Sequence, residues 1–350
     1  MTTRTPILHP ARGADHRPVA GPRIRRTWAA AGRGWVCRTS PDFSTIKRWR
    51  PPHDDSGDPR RCFLASGWTA PRYRILALDV DGTLLDREGT LRPRTAEAVA
   101  RAARAGIRPV LCTGRRYRRA RPVAEQLGLD APLVCNSGAL VKDPDGHRTL
   151  WRADFDAPLL AEVLEIFRDR DEPALSFTDT APDETDFVVA SDPTGRALFD
   201  DYLGRNRPHA EVDPSWSHRP GDRLHYHLCA IGTREAMLAF QDAVLARLAD
   251  RVQTFVQKSP RYAGTMCEVL RRDAGKWTAV LHLARLWGVD PAAICAVGDD
   301  MNDVPMLRGA GLGVAMGHSP ADVLAVADHV TGDHDHDGVA MLVDDVLLPL

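Results

Sequence analysis

The 350 residues carry 46 Lys and Arg against 47 Asp and Glu, for a net charge of −1, with 43% hydrophobic and 27% charged residues. That is enough chain for two domains, or one and a tail, and the composition is ordinary for a soluble globular protein. No run approaches roughly 18 apolar residues, which excludes a helical membrane span. The near-zero charge hides an asymmetry: residues 1–70 hold 13 Lys and Arg against 5 Asp and Glu, and the remainder holds 33 against 42. Arginine outnumbers lysine 42 to 4, which reads as a base-composition bias and not as a nucleic-acid footprint. With only Lys47, Lys142, Lys258 and Lys276 in the chain, a lysine at a motif position carries weight. The seven cysteines are scattered without a Cys-x-x-Cys pair. Cys112, Cys135 and Cys295 lie in apolar runs and read as small core residues, which fits a reducing cytoplasm.

Residues 1–70 contain eight prolines and no periodic apolar pattern. They cannot bury enough surface to offset chain entropy, so disorder is expected. A basic leader suits a targeting peptide or a nucleic-acid arm, but this one lacks the apolar core of a secretory signal and its prolines break any amphipathic helix. The expectation is a non-functional tail or a start codon placed too far upstream, with no nucleic-acid partner. Trp28, Trp35 and Trp49 are unusual in such a segment.

Ile75 to Leu78 is a short apolar run that suits a strand buried on both faces of a parallel sheet. It stops at Asp79-Val80-Asp81, and Gly82 and Thr83 then turn the chain. In open parallel sheets ligands bind beyond the carboxyl ends of the strands, where this pattern leaves two acids. Two carboxylates that close repel unless a cation intervenes, so a hard, oxygen-seeking metal such as Mg²⁺ is implied. Asp-x-Asp-Gly is also a common turn sequence, and the rest of the chain decides between the two.

An alanine-rich helix is expected over Thr95 to Ala105. A second strand follows over Ile107 to Cys112, with Pro109 awkward inside it. The strand ends at Thr113-Gly114-Arg115, where a hydroxyl and amides at a helix start suit phosphate, although Thr is also a common N-cap. Arg115 and Arg116 are in a position to reach a substrate, but in so arginine-rich a chain they are expected on the surface of the next helix, which runs to about Leu127. Pro132 to Cys135 gives a third strand before Asn136-Ser137-Gly138-Ala139. Strand and helix in alternation indicate a doubly wound α/β domain.

From about Leu140 to Met266 the pattern becomes α+β. Strands are expected at Leu150-Trp151, Leu175 to Thr178, Phe187 to Ala190 and Leu224 to Ile231. Helices are expected at Ala157 to Arg168 and Arg234 to Leu248. His225 and His227 share a strand face and have the geometry to approach one metal, but no further ligand has matching spacing, so a structural role is favoured. Lys276 then opens a helix running to Trp287. A strand over Ala293 to Val297 ends in Gly298-Asp299-Asp300-Met301-Asn302-Asp303, and Leu312 to Ala315 and His329 to Thr331 read as further strands.

Four strand-end and helix-start motifs in this order, Asp79-Val80-Asp81-Gly82-Thr83, Thr113-Gly114, Lys276 and Gly298-Asp299-Asp300-Met301-Asn302-Asp303, resemble those of the haloacid dehalogenase superfamily. The second Asp is that of its phosphatase branch, and the inserted segment resembles the large C2-type cap of the Cof-like group. The resemblance implies an α/β, doubly wound core over 71–139 and 267–350, with an inserted α+β cap over 140–266. It implies phosphoryl transfer from a small phosphorylated substrate through an aspartyl-phosphate. Asp79 would be the nucleophile and Asp81 the acid and base. Thr113, Gly114, Lys276 and Asn302 would hold the phosphate. Asp79, Asp81 through its backbone carbonyl, Asp299 and Asp303 would serve Mg²⁺, with Asp303 in direct or indirect contact and Asp300 facing solvent. A phosphomutase and a non-catalytic binding protein on the same scaffold are the alternatives. Asp333, Asp335, Asp337 and Asp344 imitate an EF-hand loop, but a strand precedes them and the twelfth position lacks Glu. The family's C-terminal acidic turn explains them better.

Overall fold

The structure, a computed structural model, describes residues 71–179, 184–218, 224–258 and 262–349. The expectations for residues 1–70, including disorder and those on Trp28, Trp35 and Trp49, lie outside the described residues. The chain begins with β1 (Ile75–Leu78), α1 (Pro93–Arg104), β2 (Arg108–Leu111), α2 (Tyr117–Gln126), β3 (Leu133–Cys135), β4 (Leu140–Lys142) and β5 (Thr149–Arg152). Next come α3 (Ala157–Asp169), β6 (Leu175–Phe177), β7 (Phe187–Val189), α4 (Ala197–Asn206), β8 (Ala210–Val212), β9 (His227–Gly232), α5 (Arg234–Leu248), β10 (Val252–Lys258) and β11 (Thr265–Arg271). The chain closes with α6 (Lys276–Trp287), β12 (Ile294–Gly298), α7 (Val304–Gly309), β13 (Leu312–Ala315), α8 (Ala321–Leu324), β14 (His329–Val330) and α9 (Gly338–Leu342).

Five parallel strands in the order β14-β13-β12-β1-β2 form the core sheet. Leu76, Leu78, Cys295 and Val297 pack in one cluster with Ala98 and Val99 of α1 and Val339 of α9. Their alternate neighbours Ile75, Ala77, Ile294 and Ala296 are equally buried, so both faces of the sheet are covered. That is why these strands read as continuous apolar runs. Pro109 is accommodated by the alternation of β2: the amides of Arg108 and Cys112 point to Arg74 and Leu78 on the β1 side. Pro109 therefore turns its missing donor to the outer edge, where no ladder bond is lost.

The second sheet, in the order β10-β11-β9-β6-β7-β8, is antiparallel except for its β7–β8 pair. Period-two alternation divides its faces. Leu228, Ala230, Cys267 and Val269 pack on α3 and α5, and Cys229, Ile231, Met266 and Leu270 belong to the cluster that includes the core. The two covering helices are capped locally: Asp156 accepts from the Leu159 amide and Thr233 from the Ala236 amide.

Several expected bounds move. β4 pairs with β3 and β5 with β4, and β3 joins the core through a parallel bridge between Cys112 and Val134. Residues 140–152 therefore hang from the core's edge and not from the cap sheet, while that sheet takes in β11 beyond residue 266. The strand expected from Leu224 starts at His227, because Leu224 lies exposed outside the ladder. Strands β10 and β11 are not anticipated from the sequence: Val252–Lys258 is half-buried along most of its length and lacks a strict period-two alternation. Gly138, at φ +89°, lets the loop after β3 lie against the start of α6: a Cβ there would stand 2.0 Å from the Gly275 carbonyl carbon. Gly138→Ala is therefore expected to cost about 2 kcal/mol or more, read as a lowered urea midpoint with an unchanged slope.

Candidate active site

The loops at the carboxyl ends of β1, β2, β3 and β12 carry Asp79, Thr113, Asn136 and Asp299 respectively. The parallel sheet places these ends side by side, so residues far apart in sequence converge at one edge. At the centre Lys276, the first residue of α6, donates from Nζ to Asp79 Oδ1 at 2.6 Å, Asp303 Oδ1 at 2.7 Å and Asn302 Oδ1 at 3.1 Å. Lys276, Asp79 and Asp303 are all buried. Burial disfavours the ammonium, but Asp303 and Asp79 outweigh it and hold the Lys276 pKa above its usual value. Burial also pushes Asp79 up, with Lys276 opposing and the charges of Asp303 and Asp299 adding to the rise.

Carboxylate oxygens of Asp79, Asp299 and Asp303 lie within 4.8 Å of one another. Three carboxylates against one ammonium leave a surplus of two negative charges, and the donors are all oxygen, so the set fits a hard divalent cation. Asp303 Oδ2 accepts from the Asp299 and Asp300 amides while Oδ1 holds Lys276, so both its oxygens are engaged by the protein. Asp299 Oδ1 accepts from Thr83 at 3.0 Å. Gly82, at φ +83°, makes room for it: a Cβ there would meet Asp299 Oδ2 at 2.3 Å. Asp300 is exposed and caps the turn over Met301–Asp303.

Asp81 stands apart from this cluster. Its side chain is half-exposed and takes a two-pronged bond from Arg115, at 2.6 Å from Nε and 2.5 Å from Nη2. Thr113 is buried and its Oγ1 accepts from the Arg115 amide at 3.0 Å, so it shapes the turn. Arg116, not Thr113, occupies the N-cap of α2. The surface placement expected for both arginines is corrected. Only a tenth of the Arg115 side chain is exposed. Arg116 is buried against Asp186 and Asn206 of the cap, at 2.8 and 2.6 Å. In a chain so rich in arginine, composition gave no means of separating these two from solvated ones.

His225 and His227 take structural partners, Ser176 Oγ at 2.7 Å and Asn136 Nδ2 at 3.3 Å. The EF-hand-like acids are spent on ion pairs: Asp335 with Arg87, Asp337 with Arg92 at 2.8 Å, and Asp344 with Arg94 and Arg101. β14 precedes them in place of an entry helix.

One acid at the site went unread in the sequence. Glu268, on β11, is buried and accepts from Ser137 Oγ at 2.5 Å across the contact between cap and core. Its signal was present, a single carboxylate inside the apolar stretch Thr265–Arg271, but its partner follows a different strand. Burial raises its pKa to about 7, against the smaller opposing effects of Ser137 and Lys276, with Asp300 adding to the rise. His227 Nε2 lies 3.8 Å from its Oε1, and burial pushes that imidazole down to about 3, so it brings no charge. The folded protein thus keeps a proton on Glu268 that the unfolded chain releases, and stability falls as pH rises towards 7. Between about pH 5 and about pH 8 the wild type should lose about 2 kcal/mol relative to Glu268→Gln, read from paired urea melts.

The family model described as haloacid dehalogenase-like hydrolase matches residues 76–343. A pyridoxal phosphate phosphatase of Escherichia coli is 27% identical over 278 residues, covering 77% of this chain and 97% of its own. A 5-amino-6-(5-phospho-D-ribitylamino)uracil phosphatase of Bacillus subtilis is 24% identical over 290 residues, covering 78% and 98%. A solved haloacid dehalogenase-like hydrolase from B. subtilis superposes with a TM-score of 0.64 at 23% identity, covering 78% of this chain and all of that one, and shares the fold. The family match spans most of the chain and takes in all four strand-end and helix-start motifs, and the chain belongs to the haloacid dehalogenase-like hydrolases.

Proposed function

We propose that this protein is a Mg²⁺-dependent phosphatase that hydrolyses the phosphate ester of a small metabolite through an aspartyl-phosphate on Asp79. The observation that carries the reading is the convergence of Lys276, Asp79, Asn302 and Asp303 at one buried point beside Asp299. Relatives named for phosphorylated small molecules support the substrate class. Lys276 fixes Asp79 through Oδ1, which leaves Oδ2 as the attacking oxygen in an in-line displacement at phosphorus. Asp81, at the exposed mouth, gives its proton to the departing alkoxide and afterwards takes one from the hydrolytic water. Arg115 holds that side chain in place before substrate arrives. Thr113, the Gly114 amide, Lys276 and Asn302 hold the phosphoryl oxygens that gain charge in the transition state.

Asp79 and Asp299, with the Asp81 carbonyl by family resemblance, would hold Mg²⁺, which when bound neutralises phosphate charge. Asp303, with both oxygens engaged, would serve the metal indirectly by fixing Lys276 and the Asp299 loop. The core is proposed to supply this chemistry and the cap to shield it from water. No helix among the described residues is long and apolar enough to cross a membrane. The five described cysteines are free and buried, which supports a reducing cytoplasmic setting.

Phosphate release by the purified protein against a panel of phosphorylated metabolites tests the reading. Release should require Mg²⁺, stop with EDTA and return when Mg²⁺ is restored in excess. Metal-independent release, or silence across the panel and on an aryl phosphate, would remove it. Asp79→Asn should lower kcat by roughly 10³-fold or more while the far-UV circular dichroism spectrum is kept. Substantial turnover by that variant would take the nucleophile away from Asp79.

A further inference from the structure

Gly114 presents a bare Cα to the cap, and three side-chain oxygens surround the place where a Cβ would stand. Ser137 Oγ lies 3.3 Å from that point, Gln257 Oε1 3.7 Å and Glu268 Oε1 4.0 Å. Gln257 and Glu268 sit on neighbouring strands of the cap. The β10–β11 register, which pairs Phe255 with Glu268 and Gln257 with Met266, puts all four residues on one face. That face looks towards the core, because Met266 and Leu270 on it join the core cluster.

The two oxygens of Glu268 are in unequal surroundings. Oε2 takes the short bond from Ser137, whereas the uncharged His227 stands 3.8 Å from Oε1, beyond hydrogen-bond distance. The nearby cation Lys276 is already engaged by Asp79, Asn302 and Asp303. Oε1 is thus the freer acceptor of the two, and a carboxyl group beside a phosphate site does not attract the phosphate itself. The chemistry that satisfies it is a donor on the other half of the ester.

We propose that Glu268, with Gln257 beside it, is a specificity-determining residue of this site, accepting a hydrogen bond from a hydroxyl or N–H on the alcohol half of the substrate. The preferred substrates are then esters whose leaving group carries such a donor close to the ester oxygen, as in polyol phosphates. Esters of plain hydrocarbon alcohols are poor substrates. A site built around an acceptor rejects an analogue without the matching donor far more strongly than an apolar pocket rejects a shape change. The assignment rests on the phosphatase reading above.

A matched pair of probes separates the two claims: glycerol 2-phosphate, and isopropyl phosphate, which has the same carbon skeleton without hydroxyls. The wild type should favour glycerol 2-phosphate by about tenfold or more in kcat/KM. Glu268→Leu, which keeps the bulk and removes both acceptors, should bring the ratio close to one. Glu268→Gln, which keeps one acceptor, should restore part of it, and decides the matter if the leucine variant fails to fold. A wild-type ratio near one, or a ratio unmoved by these substitutions while both rates fall together, would overturn the assignment. In that case Glu268 only ties the cap to Ser137. Turnover of 4-nitrophenyl phosphate in the same assay reports the phosphatase reading separately. Its hydrolysis without a preference for glycerol 2-phosphate removes Glu268 alone, and inertness towards all three compounds removes both.

Discussion

The structure depends on one electrostatic arrangement: an ammonium buried among acids that it cannot fully neutralise. Lys276 contacts Asp79 and Asp303 directly, and Asp299 completes a trio of carboxylates around the same point. Isolated, each of these charges would be expelled from the interior or would lose its charge. Together they are tolerable, and the surplus of negative charge that remains is what the proposed Mg²⁺ binding rests on. The parallel sheet is the means of assembly. Its strands end at one edge, and each ending is a turn whose backbone is free to carry a polar side chain.

The same lysine ties the cap to the chemistry. β11 is the last strand of the cap sheet, and the chain passes from it through a short turn into α6, which begins at Lys276. The loop after β3 lies against that junction through Gly138 and Gly275, and its Ser137 bonds to Glu268 on β11. A second tie, from Arg116 to Asp186 and Asn206, joins the start of α2 to the cap. The cap therefore rests on the loops that follow β2 and β3, which hold candidate phosphate-binding groups. On its core-facing surface Gln257 and Glu268 lie close to Gly114.

The sequence speaks most clearly where a side chain is marked by a local pattern. Asp79, Asp81, Thr113, Lys276, Asp299, Asn302 and Asp303 all lie in such patterns, and all but Asp81 and Thr113 meet at one point, buried except for the half-buried Asp299. Helices α5 and α6 and strand β13 begin and end where their patterns put them. The sequence is silent where a side chain's role depends on what docks against it. Arg115 and Arg116 looked like two more arginines in a chain that has 42. Only the position of Asp81 on one side and of the cap on the other separates them from solvated neighbours.

The sequence by itself determined the alternation of strand and helix, the acids and lysine of the site, and the order in which they appear. Short apolar runs, turn residues and motif spacing are local properties that survive without knowledge of the partner surface. The tertiary structure alone decided which of those groups touch. Lys276 finds Asp79 across 197 positions of chain, and Glu268 finds Ser137 across 131. A period-two pattern tells which face of a strand is apolar, but not which loop will lie against it. The burial that gives Glu268 its altered acidity comes from that docking, so the chemistry of the cap side of the site became visible only in the fold.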